Sequence, residues 1–184
     1  LVMLCAGASE QAVSQWASTF AEQGLHVSKT VGDLAGPMFF AVMMGSARLL
    51  YGKYGEKIQL QRAMLLCSML CIGSYLLISL SPLPLLSLLG CGICGFSVGI
   101  LWPGAFSIAS ASLKRGGTLL FALLALAGDL GCLGGPTYVG LISGHFHDSL
   151  NAGILAAVIF PGLLIVGLFL SEKLTPGLKD RILS

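Results

Sequence analysis

The sequence predicts an all-α membrane protein with six transmembrane helices and a short polar tail. Composition and length together predict it. Of 184 residues, 55% come from the set AVILMFWYC and 25 more are glycine. Roughly two thirds of the chain is therefore apolar or Gly, against about 45–50% in ordinary soluble domains. Charged residues make up 10%, where about 25% is usual, and a soluble globule so short of charge would expose large apolar patches. Disorder fails on the same numbers, because it needs low hydrophobicity and high net charge. A helix needs about 20 residues to cross a hydrocarbon core, so six crossings use roughly 120–140 residues and leave only short connections.

The first segment runs from Leu1 to Phe20. Leu1 stands inside an apolar run with no initiator Met before it, which reads as a fragment. The segment turns polar after Ala8. At about 100° per residue, Gly7, Glu10, Gln11, Ser14, Gln15 and Ser18 share an arc of roughly 140°, and Trp16 lies outside it. A carboxylate in an apolar span costs at least about 2.5–3.5 kcal/mol at the helix centre, so Glu10 should face protein or water. Such a stripe lines either a solute or proton site or a structural hydrogen-bond network.

The second segment spans Gly32 to Leu50, and Thr30-Val31-Gly32-Asp33 before it fits a capping box that gives Asp33 a structural role. The third spans Ala63 to Leu80. Ser81-Pro82-Leu83-Pro84 is a tight break before the fourth, which reaches Leu113 and is interrupted by Trp102-Pro103-Gly104. The fifth spans Thr118 to Ser143 and carries Asp129 as a second buried carboxylate. In the same segment Gly131 and Gly135 make a small-xxx-small face, and Pro136 frees a backbone carbonyl. The sixth spans Asn151 to Leu170. Residues 1–170 thus form the bundle and 171–184 a tail.

Charge placement orients the chain. Arg48, Lys53, Lys57 and Arg62 surround the second connection, Lys114 and Arg115 make the fourth, and Lys173, Lys179 and Arg181 lie in the tail. Only Lys29 falls on the other side, so the tail, the N-terminal end and the even-numbered loops are expected in the cytoplasm. Interruptions in the first and fourth segments suggest two three-helix inverted repeats around a central site.

Several motifs have bland readings. Gly95-Phe96-Ser97-Val98-Gly99 matches G-x-S-x-G, but a nucleophile elbow needs a strand-to-helix turn. The same letters make a membrane small-residue face extended by Gly92. Intramembrane serine proteases with six spans pair a Ser of the fourth span with a His of the sixth, whereas His145 and His147 precede the sixth span here. With Asp148 these histidines form a thin metal set and read as solvated loop residues. Cys67, Cys71, Cys91 and Cys94 lie inside apolar spans, where Cys acts as a small hydrophobe. No cofactor or metal is expected. The chain has no G-x-x-x-x-G-K-[ST] loop for ATP and no basic stripe for nucleic acid.

The second connection carries a further signal. Lys53, Gly55 and Lys57 match the later basic, Gly and basic positions of the basic-glycine loop motif of the major facilitator superfamily. Gly52 stands where that motif has Asp, and Arg48 where it has its earlier Gly. Gly131-x-x-Gly134-Gly135-Pro136-x-x-x-Gly140 is similar to the family's antiporter glycine-proline motif, here in the symmetry-related helix. From Leu1 to Leu170 the chain resembles the C-terminal half, helices seven to twelve, of such a transporter, with a layout like the fucose-permease-like branch.

The resemblance implies a secondary transporter, symporter or antiporter, that rocks two six-helix bundles about a midplane site. Its partners would be a small solute, with sugars among the candidates, the lipid bilayer and a missing N-terminal bundle. Its place would be the bacterial cytoplasmic membrane. It also implies roles for particular residues. Glu10, Gln11, Ser14, Gln15 and Trp102 would bind the solute, and Glu10 and Asp129 would couple transport to protons or ions. Arg48, Gly52, Lys53, Gly55, Lys57, Gly131, Gly135 and Pro136 would serve the conformational change. A six-span serine-protease-like enzyme and a non-transporting membrane scaffold stay open as alternatives.

Overall fold

The computed structural model describes residues 1–55, 58–112, 117–147 and 149–174. Among these residues the chain forms nine α-helices and no strand. The first segment is α1 (Val2–Ser14) and α2 (Ala17–Leu25), the second α3 (Lys29–Tyr54) and the third α4 (Leu60–Leu80). The fourth is α5 (Pro84–Val98) and α6 (Leu101–Ser112), and the fifth α7 (Gly117–His145). The sixth is α8 (Leu150–Ala156) and α9 (Ile159–Leu174), so the helix runs past the expected boundary at 170.

Among the described residues, five stretches are long and apolar enough to cross a membrane: α3, α4, α5 with α6, α7, and α8 with α9. The first segment differs because it is two helices of 13 and 9 residues with polar side chains at their junction. There the Trp16 amide donates to Val13 O at 3.0 Å, a tighter bond than the helical one, and Trp16 takes φ −105° and ψ 6°.

The other breaks follow from proline. Pro103 has no N–H to give the Gly99 carbonyl, and Pro161 none to give the Ala157 carbonyl. The fourth segment accordingly breaks at Gly99 and Ile100, one turn before Pro103, and the sixth at Ala157 and Val158. The Ala157 carbonyl accepts instead from the Phe160 amide at 3.0 Å. Pro37 and Pro136 sit inside unbroken helices. Between α4 and α5 the expected break is present, with Pro84 at the start of α5, where its missing N–H costs nothing.

The reading of Thr30–Asp33 as a capping box is corrected. The helix begins at Lys29 with Ser28 as its cap and no side-chain cap bond. Thr30 is therefore already helical, and Asp33 is exposed.

α1 runs through the middle of the bundle, with Met3, Cys5, Ala6, Ala8, Ala12 and Val13 buried. It packs on α7 most extensively, then on α9, α5 and α6. Small residues make the α1–α7 approach possible. A Cβ on Gly131 would collide with the Leu4 carbonyl oxygen, and one on Gly135 would lie 2.5 Å from the Ala8 carbonyl oxygen. Gly92, Gly95 and Gly99 pack likewise on α3, against Phe39, Phe40, Met44 and Ala47, as the small-residue reading of that run expects.

Several polar groups in the core are satisfied by backbone carbonyls. The Ser97 hydroxyl is fully buried and donates to Cys94 O at 2.7 Å. Gln61 Nε2 donates to Leu168 O at 3.2 Å and to Glu172 Oε2 at 3.3 Å, tying α4 to α9. The buried Tyr75 hydroxyl donates to Ser9 O at 2.7 Å, fastening α4 to α1. Tyr75→Phe should cost about 1 kcal/mol, read as a lower unfolding temperature in detergent; an unchanged midpoint would show that this bond contributes nothing. Outward, Leu34, Leu49, Leu66 and Leu141 are exposed, as a lipid-facing surface requires.

Candidate functional site

Where α1, α3, α6 and α7 meet, they leave a cleft of about 540 Å³ lined by Glu10, Gln11, Arg48, Trp102, Pro103, Phe106 and Cys132. Each helix contributes for a reason visible in its sequence. The polar stripe of α1 presents Glu10 and Gln11. Trp102 and Phe106 stand one turn apart on α6, just past the break that Pro103 causes. Their ring centroids are 6.4 Å apart, and Phe106 continues to Phe121 of α7 at 5.8 Å. Trp102 fits because Gly128 leaves room, since a Cβ there would lie 2.6 Å from the indole ring. The Trp102 Nε1 donor is buried with no acceptor among the described residues.

Gln11 is held by its own helix. Its Oε1 accepts from Ser14 Oγ at 2.8 Å and from Gln15 Nε2 at 3.2 Å. Ser14 and Gln15 thus sit behind Gln11 and do not line the cleft. The polar arc of α1 is wider than the opening, and both side chains bond Gln11. Glu10 is half-buried, and among the described residues its carboxylate makes no hydrogen bond or ion pair.

Asp129 is also corrected. It is exposed on α7 and is not a cleft residue, although it lies about one turn before Cys132. Its neighbour Gly131 faces α1 and Gly128 faces Trp102 of α6, and Asp129 itself is exposed.

Arg48 is the largest revision. Read as a loop-motif residue, it lies inside α3, about 9 Å along the axis before Tyr54. Its Nε donates to Gly99 O at 3.1 Å. That is the carbonyl left without a helical donor by Pro103, so Arg48 replaces the missing hydrogen bond across the break. Its sequence signal was that Leu49, Leu50 and Tyr51 follow it before the polar run begins. Phe106 and Cys132 were also missed. Each stands one helical turn from a residue singled out, Trp102 and Asp129 respectively, but nothing in sequence says which faces point inward.

The remaining motif residues are scattered. Gly52 and Gly134 have open space where a Cβ would go, Gly55 caps α3, and Lys53 lies over the Tyr54 ring at 5.4 Å. Lys57, Lys114, Arg115, Asp148, Lys179 and Arg181 lie outside the described residues. His145 ends α7 and His147 takes φ 54°, both exposed. No group of three His, Cys, Asp or Glu among the described residues is arranged to hold a metal.

Comparison with protein families decides the class of the molecule. The sequence pattern of the Major Facilitator Superfamily matches residues 1–136. The chain belongs to the Major Facilitator Superfamily. Neither the curated proteins nor the solved structures include a match. Members of the superfamily are typically membrane transporters of small solutes, so this facilitator chain is an integral membrane protein of transporter type, with a small solute and lipid as its general partners. Within that setting the cleft is the place where charge and aromatic surface converge.

Proposed function

We propose that the chain is the C-terminal six-helix half of a secondary active transporter. The fold would be two three-helix inverted repeats, α1 to α4 and α5 to α9, with a partner bundle of six helices completing the cavity. The cleft between α1, α3, α6 and α7 then forms one wall of the solute site. Residues 1–170 would be the bundle and 171–184 a tail in the cytoplasm, with the molecule in a bacterial cytoplasmic membrane.

What supports this reading is the carboxylate of Glu10, which makes no hydrogen bond or ion pair among the described residues and lies in a cleft beside a broken helix. A buried charge is expensive in lipid and is retained where it meets water, a solute or an ion. Rocking of the bundles would expose the cleft to one side and then the other. Glu10 is the group placed to exchange a proton or ion during that cycle, whereas Asp129 stands outside the opening.

Cys132 supplies the test. It lines the cleft and is half-buried; Cys5, Cys71, Cys91 and Cys94 are buried, and Cys67, also half-buried, lies on α4 and does not line the cleft. The full-length gene product in proteoliposomes should carry a solute, lose that flux after treatment with N-ethylmaleimide, and resist the reagent as Cys132→Ser. Flux that the reagent inhibits equally in Cys132→Ser would remove the cleft from the pathway. An absence of flux for every solute in a broad panel would remove the transporter reading.

A further inference from the structure

The cleft carries two opposite charges that attract each other at a distance but are not in contact. Among the described residues Glu10 and Arg48 form no ion pair within 4.0 Å, though both line the same opening. Arg48 is also held in a particular way. Its Nε is committed to the Gly99 carbonyl, which fixes the guanidinium plane and leaves the two terminal NH₂ groups as donors. A planar, fixed pair of donors suits a carboxylate or similar oxyanion, which guanidinium binds in bidentate fashion. On α1 the free Glu10 carboxylate suits a cationic group. Trp102 and Phe106 give the apolar wall between a charged solute's ends and the membrane interior.

Net charge narrows the class. With Arg48 and Glu10 both ionised, this wall of the site carries no net charge when empty. An added anion or cation alone would leave an uncompensated charge in a region where charge is costly. A zwitterion adds none and satisfies both residues. A neutral sugar would leave both charges unpaired.

We infer that the cleft binds a zwitterionic small solute with an apolar side group, its oxyanion on Arg48 and its cationic group on Glu10. The inference rests on the transporter reading above and gives its substrate class. The volume of about 540 Å³ falls in the range of about 300–1,000 Å³ usual for small-molecule sites. Arg48 has two jobs in this arrangement, bridging the break through Nε and holding the solute through its terminal nitrogens. Binding would therefore bear directly on the α5–α6 junction.

The test uses four probes against the purified full-length gene product: L-phenylalanine, 3-phenylpropanoate, 2-phenylethylamine and D-glucose. The second lacks the ammonium and the third the carboxylate of the first. Binding is read from the shift in unfolding temperature with probe concentration, and transport from flux in proteoliposomes. L-Phenylalanine should bind, with the two single-ended analogues at least about tenfold weaker. Arg48→Gln and Glu10→Gln should each weaken it by at least about tenfold. Arg48→Lys keeps the charge and should lose less than Arg48→Gln. Unfolding without probe separates folding from binding, and if Arg48→Gln does not fold, Glu10→Gln and the analogue series decide. Equal binding of the single-ended analogues overturns the inference, as does unchanged binding by the variants or no binding of L-phenylalanine. Glucose flux with no L-phenylalanine binding would sink the substrate class and leave the transporter intact. Absence of flux for all four probes and for the broad panel would sink both.

Discussion

Glu10→Gln is expected to cut solute flux by about 10- to 100-fold, the loss that follows when a charge-assisted contact of about 1.5–3 kcal/mol is removed. The substitution keeps the shape and hydrogen-bonding capacity of the side chain and deletes only the charge. Because Glu10 makes no hydrogen bond or ion pair among the described residues, the folded state loses only the longer-range attraction to Arg48, which relief of a half-buried charge offsets, and the unfolding temperature should change little. Flux and stability therefore move apart, which is the signature of a functional charge. If the stripe were only a helix-to-helix contact, as a scaffold would have it, the reverse pattern would appear: altered assembly or stability with flux intact. Uptake within twofold of wild type would remove Glu10 from the mechanism.

The second large effect concerns the α1–α7 seam. Gly131→Val should destabilise the protein by about 3 kcal/mol, because its Cβ would meet the Leu4 carbonyl, and backbone cannot rotate out of the way as a flexible side chain can. Gly134→Val, three residues along the same motif, has open space and should change stability by no more than about 0.5 kcal/mol. Thermal unfolding of both variants in detergent gives the comparison. Similar losses at the two positions would mean that the motif acts through backbone conformation and not through close approach. The contrast matters because spacing alone assigns both glycines to one motif, while only Gly131 and Gly135 lie at the seam.

The comparison of residues with positions shows where sequence reading succeeds and stops. Helix existence was legible because lipid-spanning segments bury their backbone bonds internally, so hydropathy and proline placement nearly determine them. The breaks at Gly99 and Ala157 also follow from local chemistry, four residues before Pro103 and Pro161. The seam glycines were legible as well, since a small-residue face has one main use between membrane helices. Ser14, Gln15 and Asp129 lie off the cleft's lining, and Asp129 is exposed where burial was expected. Periodicity gives the arc of a helix that is polar or small, but the width of the cavity it meets depends on its neighbours. Arg48 falls inside the second segment, Gly32 to Leu50, yet reads as part of the loop motif because its charge counts toward orientation, and a charge near a span's end does that work whether or not it also turns inward.

The amino-acid order by itself determined a membrane-embedded helical bundle, its segment boundaries to within a few residues in most cases, and Glu10 as an anomalous charge. Those are local consequences of transfer free energy and backbone hydrogen bonding, which each segment settles without reference to the rest. Only the tertiary structure decided that Arg48 of α3 joins Glu10 of α1 in one cleft. It also decided that Arg48 bonds the carbonyl Pro103 leaves free at the break between α5 and α6, and that Cys132 and Phe106 complete the wall. These residues come from four helices separated by tens of positions. What brings them together is the close approach that Gly7, Gly95, Gly131 and Gly135 permit, and no periodicity within a single helix can express it.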